Sequence, residues 1–306
     1  MPTYKDLKYF QKYPLSIKIS KTKALIREFY NEMGFSIFVS FSGGKDSTVL
    51  LHIVRSMYPE TQAVFADTGL EFPEIRNFVK TFENVEILKP TKTYKQVLEE
   101  YGYPVISKEV ANVIDGARKG QAYRLKRLDP NIKSRFNVSK YAYLMDAPFK
   151  ISDRCCYHMK KSPIMKYIKK NQSYPIIGTM AEESILRTSA WIRTGCNIVG
   201  GNNPRSMLLS FWTEKDIWDY IKLNNLNIAK PYEMGYRRTG CIFCMFGAHL
   251  EKSPNRFQLL HKTHPKLWEY SMKDTKENGL GLSYILGYLN IPYCNEIGDE
   301  RGLNEE

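Results

Sequence analysis

The sequence predicts an α/β protein: a mostly parallel, twisted sheet with flanking helices, followed by a helical, loop-rich C-terminal region. Two observations carry that expectation. Short β-rich apolar runs alternate with stretches whose apolar residues recur at helical spacing, the order that builds parallel sheets. The turns after those runs are small and polar, and ligands in such sheets sit at the carboxyl ends of the strands.

Residues 17–33 read as an amphipathic helix, with Ile17, Ile19, Leu25, Ile26 and Phe29 toward one side. Residues 35–41 are a strand, Gly43-Gly44 a turn, and Val49, Leu50, Ile53, Val54 and Met57 mark the helix that follows. A second strand is expected at 62–67, then a helix entered at Pro73, where proline suits a first helical turn. A third strand at 85–88 leads to a helix at about 93–101, and a fourth at 174–178 precedes a helical stretch over 181–192. The glycine turn, Asp67-Thr68-Gly69 and Gly178-Thr179 therefore all fall at strand carboxyl ends. The expected organisation is an N-terminal helical segment (1–34), a main domain (35–250) with a basic insertion at about 116–154, and a helical tail (251–306).

With 43% hydrophobic and 25% charged residues among 306, the composition is that of a folded globular chain, which excludes global disorder. No apolar run approaches the roughly 18 residues of a membrane helix. Met1-Pro-Thr-Tyr-Lys-Asp opens without an apolar signal region, so a cytoplasmic protein away from membranes is expected. Lysine and arginine total 45 against 32 acids, a net +13 that favours a polyanionic partner or a phosphate-rich ligand, a solvated basic surface being the plain alternative. Residues 116–154 hold ten basic against three acidic residues, with Tyr123, Phe136, Tyr141 and Tyr143 interleaved. Such a segment either follows a nucleic-acid backbone while its aromatics stack on bases, or is a solvated loop guarding an active site. Six cysteines are too few for a disulfide scaffold; clustered, they are more often metal ligands or redox groups.

Ser42-Gly43-Gly44-Lys45-Asp46-Ser47 lies between a strand and a helix. Small residues let backbone amides approach phosphate oxygens, and the helix N-terminus adds oriented N–H groups and a positive dipole end. The Ser42 and Ser47 hydroxyls add donors, Lys45 supplies charge, and Asp46 is placed to orient Mg²⁺ or the attacking group. The G-x-x-x-x-G-K-[ST] spacing is absent. A serine-capped turn would explain a bare double glycine, but six residues in strand–turn–helix context favour a phosphate cradle.

This S-G-G-K-D-S segment resembles the PP-loop of the ATP-pyrophosphatase superfamily, whose fold is adenine nucleotide alpha-hydrolase-like. The chain more specifically resembles the phosphoadenosine phosphosulfate (PAPS) reductase family. Asp67-Thr68-Gly69-Leu70-Glu71-Phe72-Pro73 is similar to that family's D-T-G-x-E-F-P segment. Gly178-Thr179-Met180-Ala181-Glu182-Glu183-Ser184 is similar to its G-x-R-x-x-E-S segment, with Met180 where the family has arginine. Trp212, Asp216-Ile217-Trp218-Asp219-Tyr220-Ile221 and Pro231-Tyr232 resemble the stretch leading into the second cysteine pair, so the likeness runs from about 35 to 250. It implies an adenine-nucleotide site. Residues 42–47 would hold the terminal phosphates of ATP with Mg²⁺, or the sulfate or phosphate end of adenylyl sulfate or PAPS. Asp67 and Thr68 would lie near the ribose or adenine, and Gly178 and Glu182 would join the nucleotide site. Met180 removes an anion contact expected of a sulfonucleotide reductase.

Cys155-Cys156 and Cys241-Ile-Phe-Cys244 are separated by 84 residues. A C-x-x-C turn suits a tetrahedral metal or an iron–sulfur cluster. The combined set resembles the 4Fe–4S ligands of adenylyl-sulfate reductases and related PP-loop enzymes, with structural zinc as the competitor. Arg154, Lys160, Arg237 and Arg238 flank the pairs and would offset thiolate charge. Cys196 stands alone and reads as a buried filler. Cys294 stands alone without the E-C-G-x-H context of the reductases' nucleophile.

The leading expectation is an enzyme that binds ATP and Mg²⁺, adenylates an acceptor with release of pyrophosphate through Lys45 and Asp46, and takes part in iron–sulfur-dependent sulfur transfer, with nucleic acid a candidate acceptor. A cysteine desulfurase or a thioredoxin-like protein would be the sulfur or electron partner. The alternatives are a sulfonucleotide reductase producing sulfite, and a nucleotide- or nucleic-acid-binding module without chemistry.

Overall fold

In a computed structural model, which describes residues 2–294, the chain divides into two units, each discontinuous in sequence. Unit one comprises the residues up to 91 with 160–232; unit two comprises 92–159 with the residues from 233 onward. The strands are β1 (Ile37–Ser40), β2 (Gln62–Ala66), β3 (Val85–Leu88), β4 (Tyr174–Ile177), β5 (Asn197–Ile198) and β6 (Arg205–Ser206). The helices are α1 (Tyr4–Gln11), α2 (Leu15–Met33), α3 (Lys45–Arg55), α4 (Pro73–Val79), α5 (Tyr94–Tyr101), α6 (Lys108–Arg118), α7 (Ala122–Lys126), α8 (Ser162–Asn171), α9 (Ile185–Thr194), α10 (Glu214–Leu223), α11 (Arg256–Thr263), α12 (Pro265–Met272) and α13 (Leu282–Tyr288).

Unit one is the predicted α/β layer. Its sheet runs β3-β2-β1-β4-β6-β5, parallel throughout except for the short antiparallel β5–β6 edge. Strands buried on both faces need continuous apolar runs, and β1 and β2 supply Ile37, Phe38, Val39, Ala63, Val64 and Phe65, all buried. Helix α3 covers them with Val49, Leu50, Leu51, Ile53 and Val54. Ser40 lies opposite both Val64 and Ile177, so the loops leaving β1, β2 and β4 emerge along one edge.

The four strands read from the sequence lie where it places them, β5 and β6 having no counterpart in that reading, and α4 and α5 begin at Pro73 and just after Thr93 as expected. The stretch over 181–192 is not one helix. Ser184 is extended and its side chain accepts the Arg187 N–H, so α9 starts at Ile185 and only a 3-10 turn, Ala181–Glu183, precedes it. Helix α1 has no counterpart in the sequence reading; a reciprocal Thr3–Asp6 cap starts it. Helix α2 is tied to α10 by a buried ion pair, Lys18 Nζ to Asp216 Oδ2 at 2.5 Å, and Trp212 donates to Thr22 Oγ1 at 2.9 Å.

In unit two, α5 to α7 precede a 3-10 helix at Ser139–Asp146. Arg118 closes α6 by donating to the carbonyls of Leu144, Met145, Ala147 and Phe149 at 2.6–3.2 Å, which folds the 144–149 chain around one guanidinium. Gly102 permits the Tyr103–Ile151 bridge, since its φ is 105° and a Cβ there would lie 2.3 Å from the Lys150 carbonyl carbon. Among the described residues no helix is long and apolar enough to cross a membrane.

Candidate functional site

Unit one sets the 42–47 loop at the carboxyl end of β1. Gly43 adopts φ 70°, and a Cβ there would fall 2.8 Å from Val79 Cγ2 and 2.9 Å from Ile75 Cγ2, so only glycine fits. The loop is braced from within. Ser42 Oγ lies 3.0 Å from Ser47 Oγ, the Ser42 amide donates to Ser47 Oγ, and Ser47 Oγ donates to the Gly44 carbonyl at 2.9 Å. These hydroxyls are hydrogen-bonded within the loop and shape it. With Gly44 as N-cap, the first amides of α3 are the orphan donors of a helix start. The Lys45 amide donates to Tyr232 Oη at 2.8 Å, whereas those of Asp46 and Ser47 have no acceptor among the described residues.

Lys45 is buried, its ammonium 3.1 Å from Asp46 Oδ1 and 3.4 Å from Glu214 Oε1. Burial opposes that charge, but Asp46, the Tyr232 phenol and Glu214 outweigh it and hold Lys45 above the ordinary lysine range. For Asp46, burial dominates; Lys45 only partly offsets it, and the carboxyl titrates above the ordinary aspartate range. Gly178 brings the end of β4 against the same loop, since a Cβ there would approach the Asp46 carbonyl to 3.3 Å. Glu182 accepts the Glu214 amide at 2.5 Å, so it reaches Lys45 through Glu214.

At the carboxyl end of β2, Asp67 accepts from Arg76 Nη2 at 2.9 Å and from the Gly69 amide at 3.2 Å. Thr68 is clasped by Glu71 through both its amide and its hydroxyl, and Glu71 pairs with Lys160 at 3.8 Å. Met180 is buried, so the position where the family carries arginine presents no charge. Sequence reasoning assigned no role to Glu214, Arg76 or Tyr232. Glu214 stands in the first turn of α10, a faint signal, and Arg76 in the last turn of α4; Tyr232 lies on a 3-10 turn, Lys230–Tyr232, that only tertiary folding brings to the loop.

Unit two gathers the four paired cysteines. Cys155 and Cys156 have their sulfurs 4.0 Å apart, and the Cys244 amide closes the C-x-x-C turn on the Cys241 carbonyl at 3.2 Å. All four face the fully buried phenol of Tyr94, whose titration is pushed well up, first by burial and then by Cys155, Cys244, Cys241 and Cys156. The Cys155 thiol is likewise pushed far up, by its hydrogen bond with Cys156, by burial and by the other thiols. The second pair is held by backbone contacts. Tyr94 Oη donates to the Phe243 carbonyl at 3.5 Å, Arg256 to the Cys244 carbonyl at 2.8 Å, and the Gly247 amide to Ile106 at 2.7 Å. Ile106 has φ 61°, a conformation that costs a β-branched residue about 1–3 kcal/mol and persists where surroundings over-determine it. Among the described residues no three Cys, His, Asp or Glu side chains are set as a coordination shell. The thiol set therefore fits a thiolate-bound centre in donor type and neighbourhood, without preformed geometry. Tyr94 and Arg256 carry no sequence motif and were missed.

Cys196 lies in unit one, buried, accepting from Trp191 Nε1 at 3.3 Å and pushed up to about 11 by burial, so it is the expected filler. Cys294 is exposed and its carbonyl accepts from Gln258.

The phosphoadenosine phosphosulfate reductase domain matches over residues 36–124 and 106–246. The uncharacterized protein MJ0973 of Methanocaldococcus jannaschii is 24% identical over 275 residues, covering 87% of this chain and 54% of that one. Its companion MJ0066 is 26% identical over 250 residues, 80% of this chain and 42% of the relative, so the chain spans about half the length of these relatives. An adenosine 5'-phosphosulfate reductase of Staphylococcus haemolyticus is 24% identical over 226 residues, covering 70% of this chain and 72% of that one. Among solved structures, the PAPS reductase of Candida auris aligns at TM-score 0.45 and 12% identity, over 79% of this chain and 96% of that one. The tRNA thiolase NcsA of Methanococcus maripaludis, solved with its 4Fe–4S cluster, aligns at TM-score 0.40 and 15% identity, over 95% and 86%. With the family domain matched across most of its length, strand, glycine loop and cysteine pairs included, the chain belongs to the phosphoadenosine phosphosulfate reductase family.

Proposed function

We propose that this chain is a nucleotide-activating enzyme that binds ATP with Mg²⁺ on residues 42–47 and transfers its adenylyl group to an acceptor. The observation that carries the reading is the α3 N-terminus, where the Asp46 and Ser47 amides stand ready as donors above a buried Lys45 ammonium. An acceptor oxygen attacks the α-phosphorus, the bond from that phosphorus to the bridging oxygen breaks, and pyrophosphate leaves with the electron pair. The acceptor's proton passes to solvent or to a carboxylate. Lys45 and the loop amides stabilise the charge that develops on the phosphates. Asp46 would be the carboxylate that holds Mg²⁺, which when bound would offset phosphate charge, while Asp67, Thr68, Gly178 and Glu182 would shape the nucleotide pocket from β2 and β4. Cys155, Cys156, Cys241 and Cys244 would hold an iron–sulfur cluster, which when bound supplies electron or sulfur transfer; zinc is the alternative occupant. The acceptor that suits the basic balance is a nucleic acid met through residues 116–154, with a desulfurase as sulfur partner, in the cytoplasm. The test is ATP-dependent pyrophosphate release, present in the protein and lost in Lys45→Ala with the fold intact. Its absence under every acceptor sinks the reading.

A second reading, reduction of adenylyl sulfate or PAPS to sulfite with a thioredoxin-like donor, is favoured by the likeness to the adenosine 5'-phosphosulfate reductase of Staphylococcus haemolyticus and opposed by buried Met180. Sulfite formation abolished by Cys294→Ser would establish it in place of the first.

A further inference from the structure

Unit two sorts its basic residues into two groups. Between 119 and 143 there are seven, against the single acid Asp129. Two are committed to the fold: Lys119 pairs with Asp115, and Arg127 pairs with Glu109 and donates to the Phe136 carbonyl. The other five, Arg124, Lys126, Lys133, Arg135 and Lys140, have no carboxylate partner among the described residues, and all but half-buried Arg124 are exposed. The segment bearing them is a preformed platform. The Val138 amide donates to the Arg127 carbonyl at 2.9 Å, and Asn137 Nδ2 ties the interior to the Asp129 and Ile132 carbonyls at 2.6 and 3.0 Å.

Of the three exposed aromatic rings on this platform, Tyr143, 46% exposed, lies against Tyr288, and the other two stand beside guanidinium groups. Tyr123 is 64% and Phe136 45% exposed, each beside a guanidinium, Arg124 at 5.7 Å and Arg135 at 4.6 Å from the ring centroids. Exposed rings next to unpaired cations provide a π-face for an unstacked base and a charge for its phosphate. In a duplex the base faces are already stacked, and readout needs an element that enters a groove. The α-helix on this platform, α7, has five residues, too short to serve as one, and its other helical stretch is the narrow 3-10 turn that begins at Ser139. We infer that the 119–143 platform binds single-stranded polynucleotide, with Tyr123 and Phe136 stacking on bases and Arg124, Lys126, Lys133, Arg135 and Lys140 meeting phosphates. This rests on reading the segment as facing nucleic acid, and adds strandedness and the division between structural and contacting residues.

The test is fluorescence anisotropy of the full chain with labelled 20-nucleotide oligo(U), oligo(dT) and a 20-base-pair duplex across a salt series. Five phosphate contacts give a slope of log affinity against log salt near −3.5 for single strands, taking about 0.7 per phosphate. Single strands bind at least about tenfold tighter than duplex at equal salt. Lys133→Glu with Arg135→Glu flattens the slope by roughly one and a half or more, whereas the same reversal at exposed Lys5 and Lys8 leaves it unchanged. Tyr123→Ala and Phe136→Ala each weaken single-strand binding roughly 5- to 100-fold without changing the slope, with circular dichroism reporting that the fold persists. Duplex bound as tightly as single strands, through the same residues, overturns the strandedness and leaves the nucleic-acid reading standing. No binding of any oligonucleotide at low salt overturns both. Equal oligo(U) and oligo(dT) affinities are expected, because stacking and phosphate contacts do not sense the 2'-hydroxyl.

Discussion

The hydroxyl of Tyr232 accepts a 2.8 Å hydrogen bond from the Lys45 amide, the first N–H of α3. Tyr232 also packs edge-on against Trp218, with centroids 5.8 Å apart. In the proposed nucleotide site, a phosphate oxygen entering the 42–47 loop would compete with the phenol for that amide. Tyr232→Phe keeps the ring and removes the competitor, and one hydrogen bond is worth about 0.5–1.5 kcal/mol net. Calorimetry with Mg·ATP is expected to show binding tighter by roughly 2- to 10-fold. Weaker binding would instead make the hydroxyl a phosphate ligand.

Gly43→Ala tests the loop itself. The new methyl meets Val79 and Ile75 below 3 Å at a positive φ, so α4 or the loop must shift. Mg·ATP binding should fall by at least about tenfold, since a left-handed alanine costs roughly 1–2 kcal/mol before the clash is counted. Unchanged affinity would remove the 42–47 loop from the nucleotide site.

For the cysteines, anaerobically purified protein is expected to carry about four irons and four sulfides per chain. Cys241→Ser should abolish both, because the turn closed by Cys244 then lacks one thiolate. Stoichiometric zinc without iron would make the set structural.

The buried pair of Lys18 and Asp216 anchors the N-terminal helices to α10. Lys18→Met leaves the Asp216 carboxylate buried with only the Thr213 amide and hydroxyl as donors. The expected loss is about 3–5 kcal/mol in denaturant unfolding, the range for breaking one side of a buried pair. A change under 1 kcal/mol would show that water reaches Asp216.

His52, bonded to the Tyr220 hydroxyl at 2.8 Å, titrates below the ordinary histidine value of 6.5, mainly because burial disfavours its cation and then because of Lys23. With the folded-state value depressed, its contribution to stability is complete above 6.5 and is lost as pH falls through the folded value. Melting temperature should decline from pH 7.5 to 5 in the native chain and decline less in His52→Gln. Parallel curves would assign the acid sensitivity elsewhere.

Local chemistry made the mostly parallel α/β sheet, four of its six strands, the glycine loop and the two cysteine pairs legible in the sequence. Strand runs, a proline at N1 and S-G-G-K-D-S each act within a few residues of themselves. The break at Ser184 was hidden because its cap competes with an otherwise helical pattern. Tertiary structure alone decided the rest. Tyr232 meets Lys45 across 187 residues, and Tyr94 sits among cysteines from two distant segments. It also decided which cations are structural: Arg118 and Lys133 look alike in sequence, but one is closed over four carbonyls and the other is exposed without a carboxylate partner. The sequence determines which groups are available. Which of them meet depends on long-range packing, because a hydrogen bond or charge pair forms only where folding places both partners within about 3–4 Å.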